Sequence, residues 1–438
     1  MKLRRREFLF SSFSAGLALL APGLAGCGDD AVDAPRPQDA DYDPMRVVLK
    51  GPFVQLAGAG AARLRFETRT DEDTVVVLRR GGANQRVVPE RTVTDLDYFR
   101  PILGAGALQD ERGDHVLHEV VIDDLEPGEV VEYRVEQWGD EPIEGSFVAP
   151  VAADAAFRLG WIADTMLPFA PDSIRTLAAF APDVVLHGGD ITYDASPFDS
   201  WNQLMHELRV LLRQAPAMFV VGNHEFESQD ELDVQYRRLF QQQGDPGGHT
   251  NYFAFTYGGV RFLCVDSESS PGRLTDEGSA QLVWLDAELE AAAGDASVRE
   301  TIIAFHRPTY TLSKHAPGSL AMRDLIHERC LTHGVRLVLA GHVHAYERFE
   351  VDGVHYIIDG GGGALAYDPD EKLEEVEALR PGESELRVTS ERATGVCVLD
   401  FLEDGTVELN RYNAARQRQD GSLPEPELVD TLVLPARS

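Results

Sequence analysis

The chain is poor in cysteine, in positive charge and in long apolar runs, and each shortage excludes something. Of its four cysteines, Cys27 lies near the start, while Cys264, Cys330 and Cys397 sit inside apolar stretches (RFLCVD, HERCLTH, GVCVLD). That odd remainder reads as buried free thiols and excludes a disulfide scaffold. Lysine plus arginine total 40 against 73 aspartate plus glutamate, a net charge of -33. Such a field repels polyanions, so no nucleic-acid partner is expected, and an anionic ligand needs local cations to offset it. The apolar stretch ending at Leu24 is too short to span a bilayer. No internal repeat is present.

A length of 438 residues exceeds what one hydrophobic core usually absorbs, which predicts two or three domains. Residues 1–27 fall outside them. KLRRREFLF places adjacent arginines ahead of Phe-Leu and LAGC closes the apolar stretch. This resembles a twin-arginine export signal ended by a lipobox, with Cys27 acylated and the protein anchored to a membrane at the periplasmic or outer surface of a bacterial cell. Residues 28–44 are acidic and proline-rich, a composition that suits a disordered linker. From residue 45 to 150, short alternating runs (ARLRFETR, TVVVLRR, EVVEYRVEQW) predict an antiparallel sandwich. LEPGEVVEY, with Leu125, Pro127 and Tyr133, is similar to the tyrosine corner of fibronectin type III-like domains. His115 and His118 in this section need no chemistry.

After Pro150 the period changes. Apolar runs (FRLGWIAD, DVVLHGGD, AMFVVGNHE, VRFLCVDSE, RETIIAFHRP, VRLVLAGHVH) alternate with helical stretches. This is the pattern of an α/β domain, residues 151–438, with a largely parallel central sheet. Trp201, Leu204, Met205, Leu208, Leu211 and Leu212 share one helical face, and His206 points off it toward solvent.

The chemistry collects at the ends of the predicted strands. Asp164 closes WIAD; Asp190 closes LHGGD, with Tyr193 three residues on; Asn223 and His224 close VVGNHE; His306 closes IIAFH; His342 and His344 close VLAGHVH. Ligands bind at this edge in open α/β sheets. A carboxylate can bridge two cations roughly 3.5–4 Å apart, a separation that clamps the attacking and leaving oxygens of a displacement. Mixed oxygen and nitrogen donors without thiolate suit Fe, Mn or Zn. A tyrosine ligand has an ordinary pKa of about 10, so taking it as the anion near neutrality calls for Fe(III).

The ordered set GDITY (189–193), GNHE (222–225) and GHVHAYER (341–348), with QLVWLDAEL (281–289), resembles the metallophosphoesterases and within them the purple acid phosphatases. The resemblance spans residues 45 to about 435. It implies a four-layer αββα catalytic sandwich preceded by a fibronectin type III-like domain at 45–150. It further implies Fe(III) on Asp164, Asp190, Tyr193 and His344. A divalent Fe, Zn or Mn would sit on Asn223, His306, His342 and the bridging Asp190, with His224 and His315 facing substrate. Two departures stand out: ADTM replaces the usual GDxG around Asp164, and Ala316 stands where plant members carry a second histidine.

The reading is a phosphohydrolase that cleaves small-molecule phosphomonoesters by attack of metal-bound hydroxide, with the two histidines as proton donors or anion binders. No serine or cysteine is placed to attack. A phosphodiesterase on the same scaffold is the alternative, since Ala316 removes a cation; a catalytically silent surface-binding protein is the other. Among the remaining candidates, Gly360–Gly363 reads as a turn beside the site more than as a phosphate cradle, because no P-loop lysine follows. His187 reads equally as a strand residue or as support for the metal ligands, and Arg348 as packing or as an anion contact. Residues 166–172, 226–250, 307–320 and 365–391 carry no pattern that identifies a substrate, and the oligomeric state is not readable.

Overall fold

A computed structural model of the protein describes residues 47–71, 73–94, 115–137, 141–193, 198–226, 234–240, 251–268, 274–276, 278–418 and 420–437. The export signal, Cys27 and the acidic linker lie outside the described residues. Among those described, no helix is long and apolar enough to cross a membrane.

Period-two sequence builds the first eight strands: β1 (Val48–Gly58), β2 (Ala61–Thr68), β3 (Thr74–Arg80), β4 (Ala83–Val87), β5 (Glu90–Val93), β6 (Val116–Ile122), β7 (Val130–Gln137) and β8 (Ile143–Val148). In β7, Val131, Tyr133 and Val135 are buried while Val130, Glu132 and Arg134 are exposed, as side chains alternate across a pleated strand. Two antiparallel four-stranded sheets result, ordered β1-β2-β6-β5 and β4-β3-β7-β8. Phe66, Val76, Val120, Val131 and Phe147 are buried between them. The Tyr133 hydroxyl, however, is buried without a hydrogen-bond partner among the described residues. A tyrosine corner requires that hydroxyl to bond backbone upstream, so this part of the sequence reading fails. Tyr133 lies in the middle of β7, where its ring fills the core.

The second part contains β9 (Phe157–Ile162), β10 (Val184–His187), β11 (Ala217–Phe219), β12 (Phe253–Tyr257), β13 (Val260–Cys264), β14 (Glu300–Phe305), β15 (Leu337–Ala340), β16 (Tyr346–Val351), β17 (Val354–Asp359), β18 (Arg387–Glu391), β19 (Gly395–Phe401), β20 (Val407–Asn413) and β21 (Leu428–Leu434). They form two sheets, as the αββα resemblance implied, although the strand pattern alone suggested one largely parallel sheet: β11-β10-β9-β19-β20-β21 and β12-β13-β14-β15-β17-β16-β18. Each mixes directions. β9, β10 and β11 are parallel, but β19, β20 and β21 continue antiparallel. In the other sheet the ladders joining β13, β14, β15 and β17 are parallel, while β12 with β13, β16 with β17 and β18 with β16 pair antiparallel. A strand buried on both faces looks alike in either direction, so its apolar run does not reveal the pairing. The β12–β13 hairpin turns at Gly258 (φ 54°) and Gly259 (φ 70°), a two-residue loop whose positive φ values only glycine takes without strain.

The two sheets bury one core between them. Leu159 and Trp161 of β9, Leu186 of β10 and Leu399 of β19 meet Phe262, Ile302, Leu339 and Ile357 of the other sheet. Outside the first sheet, helices Ala170–Ala179 and Phe198–Leu212 pack Ile174, Leu177 and the whole Trp201-to-Leu212 apolar face against Val185, Phe219 and Val398. Outside the second, helices Ala280–Gly294 and Leu320–His333 place Leu285, Leu289, Ile326 and Cys330 on Leu263, Ile303 and Val338. Burying each such large side chain stabilises the fold by about 1.5–3 kcal/mol. His206 departs from expectation: it is 5% exposed and so buried, not solvated. Cys264, Cys330 and Cys397 are free and buried.

Candidate metal centre

The strands that end in chemistry come from both sheets, and their carboxyl ends meet in one place. β9 delivers Asp164, β10 delivers Asp190 and Tyr193, and β11 leads into a 3-10 turn at Asn223–Phe226. Opposite them β14 delivers His306, and β15 delivers His342 and His344. The loops are tied together by backbone: Asp164 N–H donates to Gly189 O and Thr165 N–H to Asp190 O, both at 3.0 Å. Asp164, Asp190 and His342 have φ of 60°, 51° and 67°. Left-handed backbone at a non-glycine residue costs of order 1–3 kcal/mol and marks positions held for function by their surroundings. Two glycines make the approach possible. A Cβ at Gly222 would lie 2.3 Å from both the backbone N and Oδ1 of Asp190, and one at Gly189 would lie 2.7 Å from His306 Nδ1.

The donors gather in two groups. In one, the Tyr193 hydroxyl donates to Asp164 Oδ1 at 2.9 Å and lies 2.6 Å from His344 Nε2, which is itself 3.5 Å from Asp164 Oδ1. In the other, His306 Nε2 lies 3.2 Å from Asp190 Oδ2 and 3.2 Å from Asn223 Oδ1. Donor atoms of Asp190, His306 and His342 all fall within 4.8 Å of one another. All seven residues read as metal ligands from the sequence are therefore brought to this site.

Their orientation is fixed from behind. His306 Nδ1 donates to Gly188 O at 2.9 Å and His344 Nδ1 to Leu365 O at 3.1 Å, which leaves each Nε2 for the cage. Asp164 Oδ2 accepts from His342 N–H at 2.8 Å, and Asp190 Oδ1 from His224 N–H at 2.8 Å. Glu225 is wholly buried and accepts from the backbone N–H groups of Gly222, Asp190 and Ile191. That carboxylate locks the GD loop to the GNHE turn. The sequence reading gave Glu225 no role, although it is the fourth letter of the motif.

Charge is unevenly resolved among these groups. Burial pulls the His306 imidazole down, but the Asp190 and Asp164 charges overcome it and lift it to about 10. Burial works against the Asp190 carboxylate, yet His306 and His224 hold it well below the usual range. Burial, with the Asp164 and Asp190 charges behind it, keeps the Tyr193 phenol well above 10 and neutral. A buried set of two carboxylates, an amide oxygen, a phenol and imidazoles, converging within hydrogen-bonding distances, fits cations that replace those protons.

A chain of ring contacts runs through and beside these groups. Centroid distances run 4.2 Å from His224 to Tyr193, 5.6 Å to His344, 4.1 Å to Tyr367, 5.7 Å to His315, 4.2 Å to His342 and 5.0 Å to His306. Both histidines expected to face substrate are thus beside the cage. Tyr367 is new, and so is Arg307, whose Nε donates to Glu268 Oε2 at 2.7 Å and whose Nη1 lies 3.1 Å from His342 Nε2. Arg307 directly follows a ligand and was open to notice; Tyr367 lies in a segment without periodicity.

Other candidates resolve as structure. His187 Nε2 meets Thr165 Oγ1 at 3.0 Å, and Thr165 Oγ1 donates to Ile191 O, so His187 supports the loops and is no ligand. The ADTM departure is absorbed by neighbouring glycines: a Cβ at Gly188 or Gly341 would lie 2.9 Å from Ala163 Cβ. Along Gly360–Gly363, the N–H groups of Gly360, Gly361 and Gly362 are spent on Val343 O, Asp359 Oδ1 and Ala163 O, which leaves no cradle for phosphate. Arg348 is held by Asp430 through both Nε (2.7 Å) and Nη2 (3.0 Å), so it packs and does not contact an anion.

Comparison with known proteins agrees with this geometry. Residues 157–346 match the family model for calcineurin-like phosphoesterases. Purple acid phosphatase 15 of Arabidopsis thaliana is 27% identical over 299 residues, covering 57% of this chain and 54% of that protein. Purple acid phosphatase 21 of the same plant is 26% identical over 365 residues, covering 76% and 78%. The chain therefore spans about half the length of the first of these relatives. A purple acid phosphatase from yellow lupin (Lupinus luteus) seeds superposes with a TM-score of 0.72 at 16% identity, covering 88% of this chain and 74% of that one. PhoD gives 0.61 at 14% identity, covering 89% and 90%. At such identities the structural likeness establishes a shared mixed α/β fold. Residues 157–346 thus match the calcineurin-like phosphoesterase family model, and the chain is similar in sequence to purple acid phosphatases.

Proposed function

We propose that the protein is a phosphoric ester hydrolase with a dinuclear metal centre, acting on small-molecule phosphomonoesters. The observation that carries this reading is the convergence of seven oxygen and nitrogen donors from five strand ends of two sheets. Asp164, Tyr193 and His344 would hold Fe(III), and Asn223, His306 and His342 a divalent Fe, Zn or Mn, with Asp190 between them. Bound cations of this kind supply Lewis acidity that makes water a nucleophile near neutral pH and neutralises phosphoryl oxygens. The chain's own residues do the rest. Gly188 O and Leu365 O aim two imidazoles, Glu225 fixes the loops, and His224 and His315 flank the space for the ester. Either, when protonated, can bind phosphoryl oxygens or pass its proton to the departing alkoxide.

The two-domain division at residue 150 and the fibronectin type III-like character of the N-terminal sandwich belong to this proposal, as does export with a lipid anchor at Cys27. Its test is Cys27→Ala, which should release the protein from the membrane fraction; unchanged partitioning refutes the anchor.

A phosphodiesterase on the same scaffold is the second reading, favoured by Ala316, which offers no charge beside His315. Comparing p-nitrophenyl phosphate with bis-p-nitrophenyl phosphate across pH separates the two. A higher kcat/KM for the monoester is expected, and a diester preference would overturn the choice.

A further inference from the structure

Tyr367 lies between His344 and His315 in the chain of rings, stacked on His344 at an interplanar angle of 20°. Over the same ring sits Lys314, its Nζ 4.4 Å from the centroid and 3.5 Å from the hydroxyl. Lys314 immediately precedes His315. In a chain with 73 acidic residues, Lys314 forms no ion pair among the described residues. Arg307, the other cation near His315, is already engaged by Glu268. Lys314 is thus an ammonium placed by an aromatic face, with its charge uncompensated by any described carboxylate, at the exposed side of the cage.

The geometry points to Lys314 as a specificity-determining cation, held over Tyr367, that meets the second negative charge of a phosphomonoester dianion. The inference rests on the hydrolase reading for its substrate class. A diester carries one charge fewer, so the same ammonium discriminates between the two classes where Ala316 contributes nothing. It also provides the local cation that a molecule of net charge -33 needs to admit an anion.

The test uses the full, metal-loaded protein with inorganic phosphate as the binding probe, followed by calorimetry. Lys314→Gln should weaken phosphate binding about three- to tenfold. It should raise KM for p-nitrophenyl phosphate by a similar factor and leave KM for the bis-p-nitrophenyl diester and the metal content unchanged. Lys314→Arg should retain most of the affinity. Tyr367→Leu should reproduce the loss of phosphate affinity by releasing the ammonium. Phosphate affinity indifferent to Lys314→Gln, or equal losses for monoester and diester, overturns the inference. A wild type that binds phosphate in a Lys314-dependent manner yet cleaves neither ester sinks the hydrolase reading and leaves Lys314 in place. A wild type that binds no phosphate overturns both.

Discussion

Tyr193 is the residue on which the choice of metal turns. Its hydroxyl is within hydrogen-bonding distance of Asp164 and His344, and burial keeps it a neutral phenol. Only a strongly Lewis-acidic cation would take it as phenolate. Metal-loaded protein should show a visible charge-transfer absorption, and Tyr193→Phe should bleach it. A colourless, active wild type carrying Mn or Zn refutes the Fe(III) assignment. The candidate ligands were legible because they stand at or just beyond the ends of apolar runs and fall within motifs that resemble a known family. Glu225 and Arg307 stand beside those candidates and were open to notice, whereas Lys314 and Tyr367 were not, because their roles are set by what lies opposite them in space.

At the scale of elements, the two sheets are clamped across their edges by side chains. Arg348 of β16 forms a two-point ion pair with Asp430 of β21, and the Tyr346 hydroxyl donates to the same carboxylate at 2.7 Å. Burial raises the Asp430 carboxyl, but the bonds from Arg348 and Tyr346 more than offset it, and its pKa is lowered. A depressed carboxylate contributes stability that is present above its unfolded value of about 4 and lost as pH falls through the lower folded value. Asp430→Asn should therefore cost about 1–3 kcal/mol at neutral pH and flatten the acid side of the stability curve. Urea midpoints measured between pH 3 and 7 check this; a variant whose midpoint falls as steeply with acid as the wild type contradicts it. Nothing in the local sequence of GHVHAYER pairs Arg348 with a residue in β21, since strand order is a long-range property.

At the scale of the molecule, the N-terminal sandwich is fastened to the α/β part through buried charge. Lys50 Nζ donates to Glu67 Oε1 at 2.7 Å, Arg238 pairs with the other Glu67 oxygen, and Arg65 Nη1 donates to Leu239 O at 3.0 Å. Phe53 of β1 enters the core under helix Phe198–Leu212, 5.7 Å from the Phe240 ring. Burial raises the Glu67 carboxyl, but Arg238 and Lys50 outweigh it and hold it well below the usual range. Glu67→Gln would leave those cations without a buried counter-charge, so a loss of about 3–5 kcal/mol is expected. Thermal unfolding decides it: a melting temperature within error of wild type would show that the network carries no net stability. Arg65 and Glu67 read in the sequence only as the polar half of an alternating strand.

The sequence by itself determined which residues could hold metal and where they stand on the chain. Period fixes strands, strand ends fix candidate donors, and the donor types limit the cation. It also determined the strongly acidic balance and the free thiols. Tertiary structure alone decided which strands pair within each mixed sheet, that Arg348 packs on Asp430 and His187 meets Thr165, and that Tyr367 stacks on His344 with Lys314 over its ring. The physical reason is range: propensity and periodicity act over a few residues, whereas pairing partners, buried counter-charges and ring contacts are chosen by segments distant in sequence that the fold brings together.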